Sequence, residues 1–187
     1  MSNRLTKQDW VAHGFEVLKT EGHGGLKADR MVKALKVSRG SFYWHFKDID
    51  DFETCILEAW RTDITEAVIA ELKTLPDGTE QIRELIQRVL TIPQGLEAAI
   101  RLWSGQSEKV ARAVAEVDRL RIDYLTNVLE GLGLPPGVAR PRAAILAWAY
   151  IGRSLSPAFA DGVTEHAARD LSFALTTPEI ARKDSAP

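Results

Sequence analysis

Within the nine residues from Arg39 to Lys47 stand a guanidinium, two hydroxyls, an imidazole and an ammonium, with Trp44 and two phenylalanines between them. These are the groups that meet phosphate oxygens and base edges: donors that reach anions, interleaved with flat apolar surfaces. They end a longer basic stretch. Residues 1–47 carry nine Lys and Arg against four Asp and Glu, a surplus of +5, so the rest of a chain whose formal charge is −2 must carry −7. Such asymmetry implies a basic head that meets an anion and an acidic body with another task, and the near-neutral total excludes a histone-like coating protein.

The elements that must position these groups read as helices. Apolar residues recur at spacings of three and four, and no run of alternating β-branched residues appears, so the chain is predicted to be all-α. A first helix starts after Thr6, which caps it with Asp9 three residues on. It turns Trp10, Val11, Gly14, Phe15 and Leu18 inward and ends at Gly22, Gly24 and Gly25. Short helices are expected at Lys27–Leu35 and, capped by Ser38, at Ser38–His45. Asp48 caps a fourth helix that reaches about Leu75, before the turn Pro76-Asp77-Gly78. Further helices are predicted over Glu80–Ile92, Leu96–Trp103, Ser107–Leu132, Val138–Ser156 and Val163–Thr176, with a frayed tail from Ile180. Two short helices joined by a three- to four-residue turn, with Met31, Leu35, Val37 and Phe42 inward, match a helix-turn-helix unit. On spacing and charge alone, the stretch reads equally as a basic, solvated helical hairpin.

The run Val37-Ser38-Arg39-Gly40-Ser41-Phe42-Tyr43-Trp44-His45-Phe46-Lys47-Asp48, preceded by a capped helix with Phe15, Leu18 and Gly22 at its end, resembles the DNA-binding domain of the TetR family of transcriptional regulators. The resemblance is specific over Leu5–Trp60 and looser beyond. It implies a three-helix head, residues 1–50, joined by the fourth helix to a helical ligand-binding and dimerisation body, residues 51–187. It also implies that Arg39, Gly40 and Ser41 face base edges, that Tyr43 and His45 donate to phosphates and that Lys47 neutralises one. An arginine can pair with guanine O6 and N7, and Gly40 lets the backbone approach closely. Trp44 meets a sugar or thymine methyl, or else fills the edge of the head's core; Phe42 and Phe46 belong to that core. The sequence departs from the family at Lys27 (usually Thr), Val32 (usually small), Lys36 (usually Gly) and Ile49 (often basic). Lys27 still reaches a phosphate; Lys36 predicts a strained turn; Ile49 and the neighbouring aspartates predict fewer phosphate contacts and a shallower salt dependence.

In the body, Ser107–Leu132 carries two apolar stripes and Ala143–Gly152 is apolar nearly all round, as expected of helices that touch both their own core and a partner. A four-helix interface across a two-fold axis follows, with Leu120, Tyr124, Val128, Ile145, Trp148 and Ala149 in it. Two heads about 34 to 36 Å apart would then read a palindromic operator in double-stranded DNA. A pocket for an unidentified small-molecule effector is the family's expectation; Trp60, Trp103, Tyr124, Trp148, Tyr150 and Phe159 either line it or are ordinary packing. Trp103, beside Ser104, Gly105 and Gln106, is the first choice.

The four histidines lack metal-ligand spacing and no catalytic motif is present, so neither enzyme activity, nor a metal, nor a cofactor is expected. The single cysteine, Cys55, excludes an internal disulfide and reads as a packing residue, with a redox sensor the lesser reading. No stretch is long enough to span a membrane and the N-terminus lacks an apolar signal core, so a cytoplasmic location is expected. The combined expectation is a homodimeric regulator, in first place a ligand-responsive repressor. The rival is a helical small-molecule carrier or partner-binding module without operator binding.

Overall fold

The structure, a computed structural model, describes residues 5–91, 95–156 and 165–177. Among these the chain is helical, with no strand. Helix α1 spans Lys7–Glu21, and its start is a reciprocal capping box: the Thr6 N–H donates to Asp9 Oδ2 (2.7 Å) and the Asp9 N–H to Thr6 Oγ1 (3.2 Å). It ends at Gly22, whose φ of 69° suits a residue without a Cβ. Val17 joins Trp10, Val11, Gly14 and Leu18 on the buried side, while Phe15 is only half-buried. Gly14 is needed for a close approach, because a Cβ there would lie 2.8 Å from Phe52 Cζ.

After a 3-10 turn at His23–Gly25 come α2, Ala28–Ala34, and α3, Arg39–Tyr43, joined by the turn Leu35–Ser38. Lys36 in that turn has φ 55°, the left-handed conformation for which its side chain is ill suited. Ser38 occupies the N-cap position of α3, but its hydroxyl makes no capping hydrogen bond, so its cap role is limited to its extended backbone. Asp48 does cap α4, Ile49–Ala59, by accepting the Asp51 N–H at 2.9 Å.

The continuous fourth helix expected up to Leu75 is interrupted. A π-helical stretch, Trp60–Glu66, separates α4 from α5, Ala67–Leu72. In an α-helix of about 3.6 residues per turn, residues five apart face different sides. The wider π turn, closed by i→i+5 bonds, lets Trp60 and Thr65 both point into the core.

Five helices follow: α6, Gly78–Thr91; α7, Gly95–Ser104; α8, Glu108–Gly131, capped by Ser107; α9, Pro136–Leu155; and α10, Glu165–Thr176. Phe159 and the tail from Ile180 lie outside the described residues. Two apolar clusters share α8. One gathers α1 to α4, α7 and the first half of α8 around Trp10, Phe42, Trp60 and Trp103; the other gathers α5, α6, α9 and α10 against Tyr124, Leu125 and Leu129. Arg142 on α9 closes the far end by donating to three carbonyls at the C-terminus of α10, those of Ala174, Leu175 and Thr177. No described helix is long and apolar enough to cross a membrane.

Candidate nucleic-acid interface and ligand cavity

Helix α3 has only five residues and cannot hold itself; an aromatic nest holds it. Phe42 is fully buried, with its ring edge-on to Trp10 (5.4 Å between centroids) and Phe52 (5.5 Å), while Phe46 closes the nest against Phe52 at 4.8 Å. Both phenylalanines are therefore core, as expected. With that side buried, the opposite side of α3 faces outward. Arg39, Gly40 and Tyr43 are exposed there and Ser41 is half-buried; Trp44, at 69%, and Lys47 are exposed beyond its end, and Lys27 is exposed at the start of α2. Exposure removes the option that Trp44 fills the edge of the core.

Arg39 is held between two neighbours. Its guanidinium lies 5.7 Å from the Tyr43 ring centroid, and its Nε is 3.4 Å from Asp29 Oδ1 on α2. The Tyr43 hydroxyl and, secondarily, the Asp29 charge hold the guanidinium above its ordinary pKa. A Cβ on Gly40 would meet nothing nearer than Ser38 Oγ at 3.8 Å, so nothing inside the protein demands glycine at this position. His45 departs from the expected role. Its Nε2 lies 2.9 Å from the Leu5 carbonyl and donates to it, which pins the start of the chain to α3. Donation to a phosphate is left to Nδ1 and requires the imidazolium. The aspartates after Lys47 are likewise engaged: Asp48 caps α4, Asp51 accepts the Lys47 N–H at 2.9 Å, and Asp50 pairs with Lys109 on α8 at 2.8 Å. Ile49 packs on the core.

In the body a cavity of about 140 Å³ lies between the π stretch, α5, α6, α8 and α9. Tyr124 and Tyr150 line it, together with Thr65, Leu125, Leu146 and Ala147. The other candidates do not. Trp60 is fully buried outside the lining; Trp103, the first choice, is buried in the other cluster, stacked on His23 at 4.6 Å; Trp148 is 66% exposed on the outer side of α9. Trp103 packs because α7 lies against α1 and its 3-10 turn, so the aromatic beside Ser104 and Gly105 faces the head.

Among the residues expected at a dimer interface, Ile145, Trp148 and Ala149 form an exposed side of α9, and Leu120 and Val128 are half-buried on α8. Tyr124 is turned inward, where it lines the cavity and donates its hydroxyl to Gln81 Oε1 at 2.9 Å.

Sequence reasoning missed a buried ionic cluster at the cavity's floor. Glu97 on α7, 4% exposed, accepts from Arg121 (2.9 and 3.1 Å), from Arg101 (2.8 Å) and from the Tyr150 hydroxyl (3.1 Å). Arg121 also donates to Thr65 Oγ1 at 3.0 Å, in the π stretch, and lies against the rings of Trp60 (5.4 Å) and Tyr150 (5.0 Å). Arg101 pairs in turn with Asp118. Burial pushes the Glu97 carboxyl up, but the two guanidiniums outweigh it and hold the carboxyl below its ordinary range. Burial, then the Glu97 charge, raises the Tyr150 phenol. A signal was available: Arg121 interrupts the apolar stripe of Val114, Val117, Tyr124 and Leu125, and Glu97 stands four residues before Arg101 in an otherwise apolar helix.

Cys55 is buried, in keeping with the packing reading. Among the described residues no three His, Cys, Asp or Glu side chains are grouped to hold a metal.

No family model matches the chain. Its first 34%-identical match, to the transcriptional regulator AcuR of Cereibacter sphaeroides, extends over 58 residues, 31% of this chain and only about a quarter (26%) of AcuR. The HTH-type transcriptional regulator AcrR of Shigella flexneri is 26% identical over 161 residues, 78% of this chain and 74% of AcrR. In fold, the chain is similar to a TetR transcriptional regulator from Legionella pneumophila (TM-score 0.75, 17% identity, covering 93% of this chain and 98% of that one). It is also similar to the reduced form of NemR from E. coli (TM-score 0.73, 19% identity, 90% and 95%). Both curated relatives are named as transcriptional regulators. The chain thus has the fold of solved TetR-family transcriptional regulators.

Proposed function

We propose that the chain is a ligand-responsive repressor that binds a palindromic operator as a homodimer, with residues 1–50 as the reading head and 51–187 as the sensing and pairing body. The observation that carries this reading is the outward side of α3, where Arg39, Gly40 and Tyr43 are presented by a helix whose other side is locked by Phe42, with Lys47 exposed just beyond its end. A rigid helix with exposed donors suits a major groove, and its arginine suits guanine. Pairing is supported by the uncovered apolar side of α9, where Ile145 is 55% exposed beside Trp148, in a helix otherwise packed on α8.

The lining of the cavity supports a coupling to the head. Ile64 and Thr65 line it, and both belong to the π stretch that continues α4, whose first residue follows two after Lys47. A ligand that prefers one arrangement of this stretch shifts the population of head spacings, and only by its difference in affinity for the two.

The test is fluorescence anisotropy with DNA from immediately upstream of the gene and with a scrambled duplex of equal length, at two salt concentrations. Tight binding to the native duplex alone, kept at the higher salt, supports the proposal. Equal, salt-sensitive binding to both contradicts sequence-specific recognition at that site.

A further inference from the structure

We propose that the cavity between Thr65, Leu125, Ala147 and Tyr150 accepts an uncharged, apolar molecule about the size of one substituted aromatic ring; the identification of that molecule as an effector rests on the ligand-responsive reading above. The volume sets the size. About 140 Å³ is close to the ~150 Å³ apolar cavity that stays dry and admits benzene. The walls set the polarity, since aliphatic side chains such as Val68, Ile69, Leu85 and Leu146 make up most of the lining.

The charge follows from how every ion at the cavity is already matched. Arg121 shares both its terminal nitrogens with Glu97, and Arg88, at the other end, pairs with Glu84 (2.7 Å) and Glu71 (2.6 Å). An anionic ligand would have to pull Arg121 from a carboxylate that is itself buried, leaving Glu97 with one guanidinium, that of Arg101, in place of two. A cationic ligand finds no better welcome. Of the two aromatic rings in the lining, that of Tyr150 is occupied by the protein's own Arg121, and the carboxylate that could balance a cation is taken. A neutral molecule disturbs none of these pairs and loses only its contact with water. Polar specificity is left to the hydroxyl of Thr65 at the cavity wall, whose oxygen already accepts from Arg121 and can donate its own proton.

The experiment uses the full chain and four probes of one ring size that differ in charge: toluene, benzyl alcohol, benzoate and benzylammonium. Binding is followed by titration calorimetry. Toluene and benzyl alcohol are expected to bind once per chain, and benzoate and benzylammonium at least about tenfold more weakly. Ala147→Phe, which fills the cavity, is expected to abolish binding of the neutral rings. Glu97→Gln, which strips Arg121 of its carboxylate, is expected to raise benzoate affinity by about tenfold. If that variant does not fold, the ranking of the four probes on the unaltered chain decides alone. A charged ring that binds the unaltered chain as tightly as the neutral ones overturns the assignment, as does a failure of both neutral rings to bind or binding that survives Ala147→Phe. Operator affinity at saturating benzyl alcohol separates the two readings: binding in the expected order with unchanged DNA affinity upholds the neutral cavity and counts against benzyl alcohol acting as an effector.

Discussion

Asp29 and Arg39 face each other across the helix-turn-helix, and both are largely exposed, so their 3.4 Å pairing adds little to folding. Its consequence is for DNA: the carboxylate competes with phosphates and bases for the guanidinium. Asp29→Asn should therefore tighten DNA binding, on specific and scrambled duplexes alike, and leave the thermal midpoint nearly unchanged; anisotropy and a melting curve check both halves. Lys36 is the second residue with a readable cost. A left-handed lysine is strained by about 1 to 2 kcal/mol, of which glycine recovers only part because it adds freedom to the unfolded chain. Lys36→Gly should raise stability by up to about 1 kcal/mol, seen as a higher urea midpoint with an unchanged slope. This strain was legible through the resemblance, because the family usually carries glycine where Lys36 stands, and the caps at Thr6 and Asp48 were legible in the residues themselves. The place of Trp103 was not legible. Polar neighbours and a loose helix end suggested a pocket, whereas what α7 leans on decided the matter, and that is a long-range fact.

At the scale of elements, periodicity located the helices to within a few residues but could not say which of two stripes on α8 turns inward. Tyr124 is expected at pocket and interface together for that reason, and in the structure its ring turns inward to the cavity wall. The π stretch was equally hidden, because it answers to Trp60, Thr65 and Arg121 meeting across three elements. That meeting point has a pH signature. Glu97 has its folded pKa depressed, so its contribution to stability is present above the ordinary carboxylate range and is lost as pH falls through the folded value. Glu97→Gln should lower stability at neutral pH, where it leaves Arg121 short of a counter-charge, by roughly 3 to 5 kcal/mol if the cluster does not rearrange. It should also flatten the acid limb of the stability curve, which chemical denaturation at a series of pH values would show; an acid limb as steep as that of the unaltered chain would contradict the assigned role.

On the scale of the whole molecule, Trp148 and Ile145 are exposed on a helix buried along its other side, and in the proposed homodimer the same surface of a second copy covers them. Trp148→Asp should shift sedimentation from dimer to monomer and weaken operator binding, while leaving the helical circular dichroism intact. The account as a whole rests on α3 reading bases and its neighbours holding phosphates, two roles with different signatures. The most direct measurement compares Arg39→Ala and Lys47→Ala with the unaltered chain on the operator and on a scrambled duplex. Arg39→Ala should cost about 1 to 3 kcal/mol on the operator and little on the scrambled duplex, so that discrimination falls, whereas Lys47→Ala should weaken both alike and reduce the salt slope by about one. Operator binding that Arg39→Ala leaves intact, or that it weakens no more than scrambled binding, would contradict the claim that this helix reads sequence.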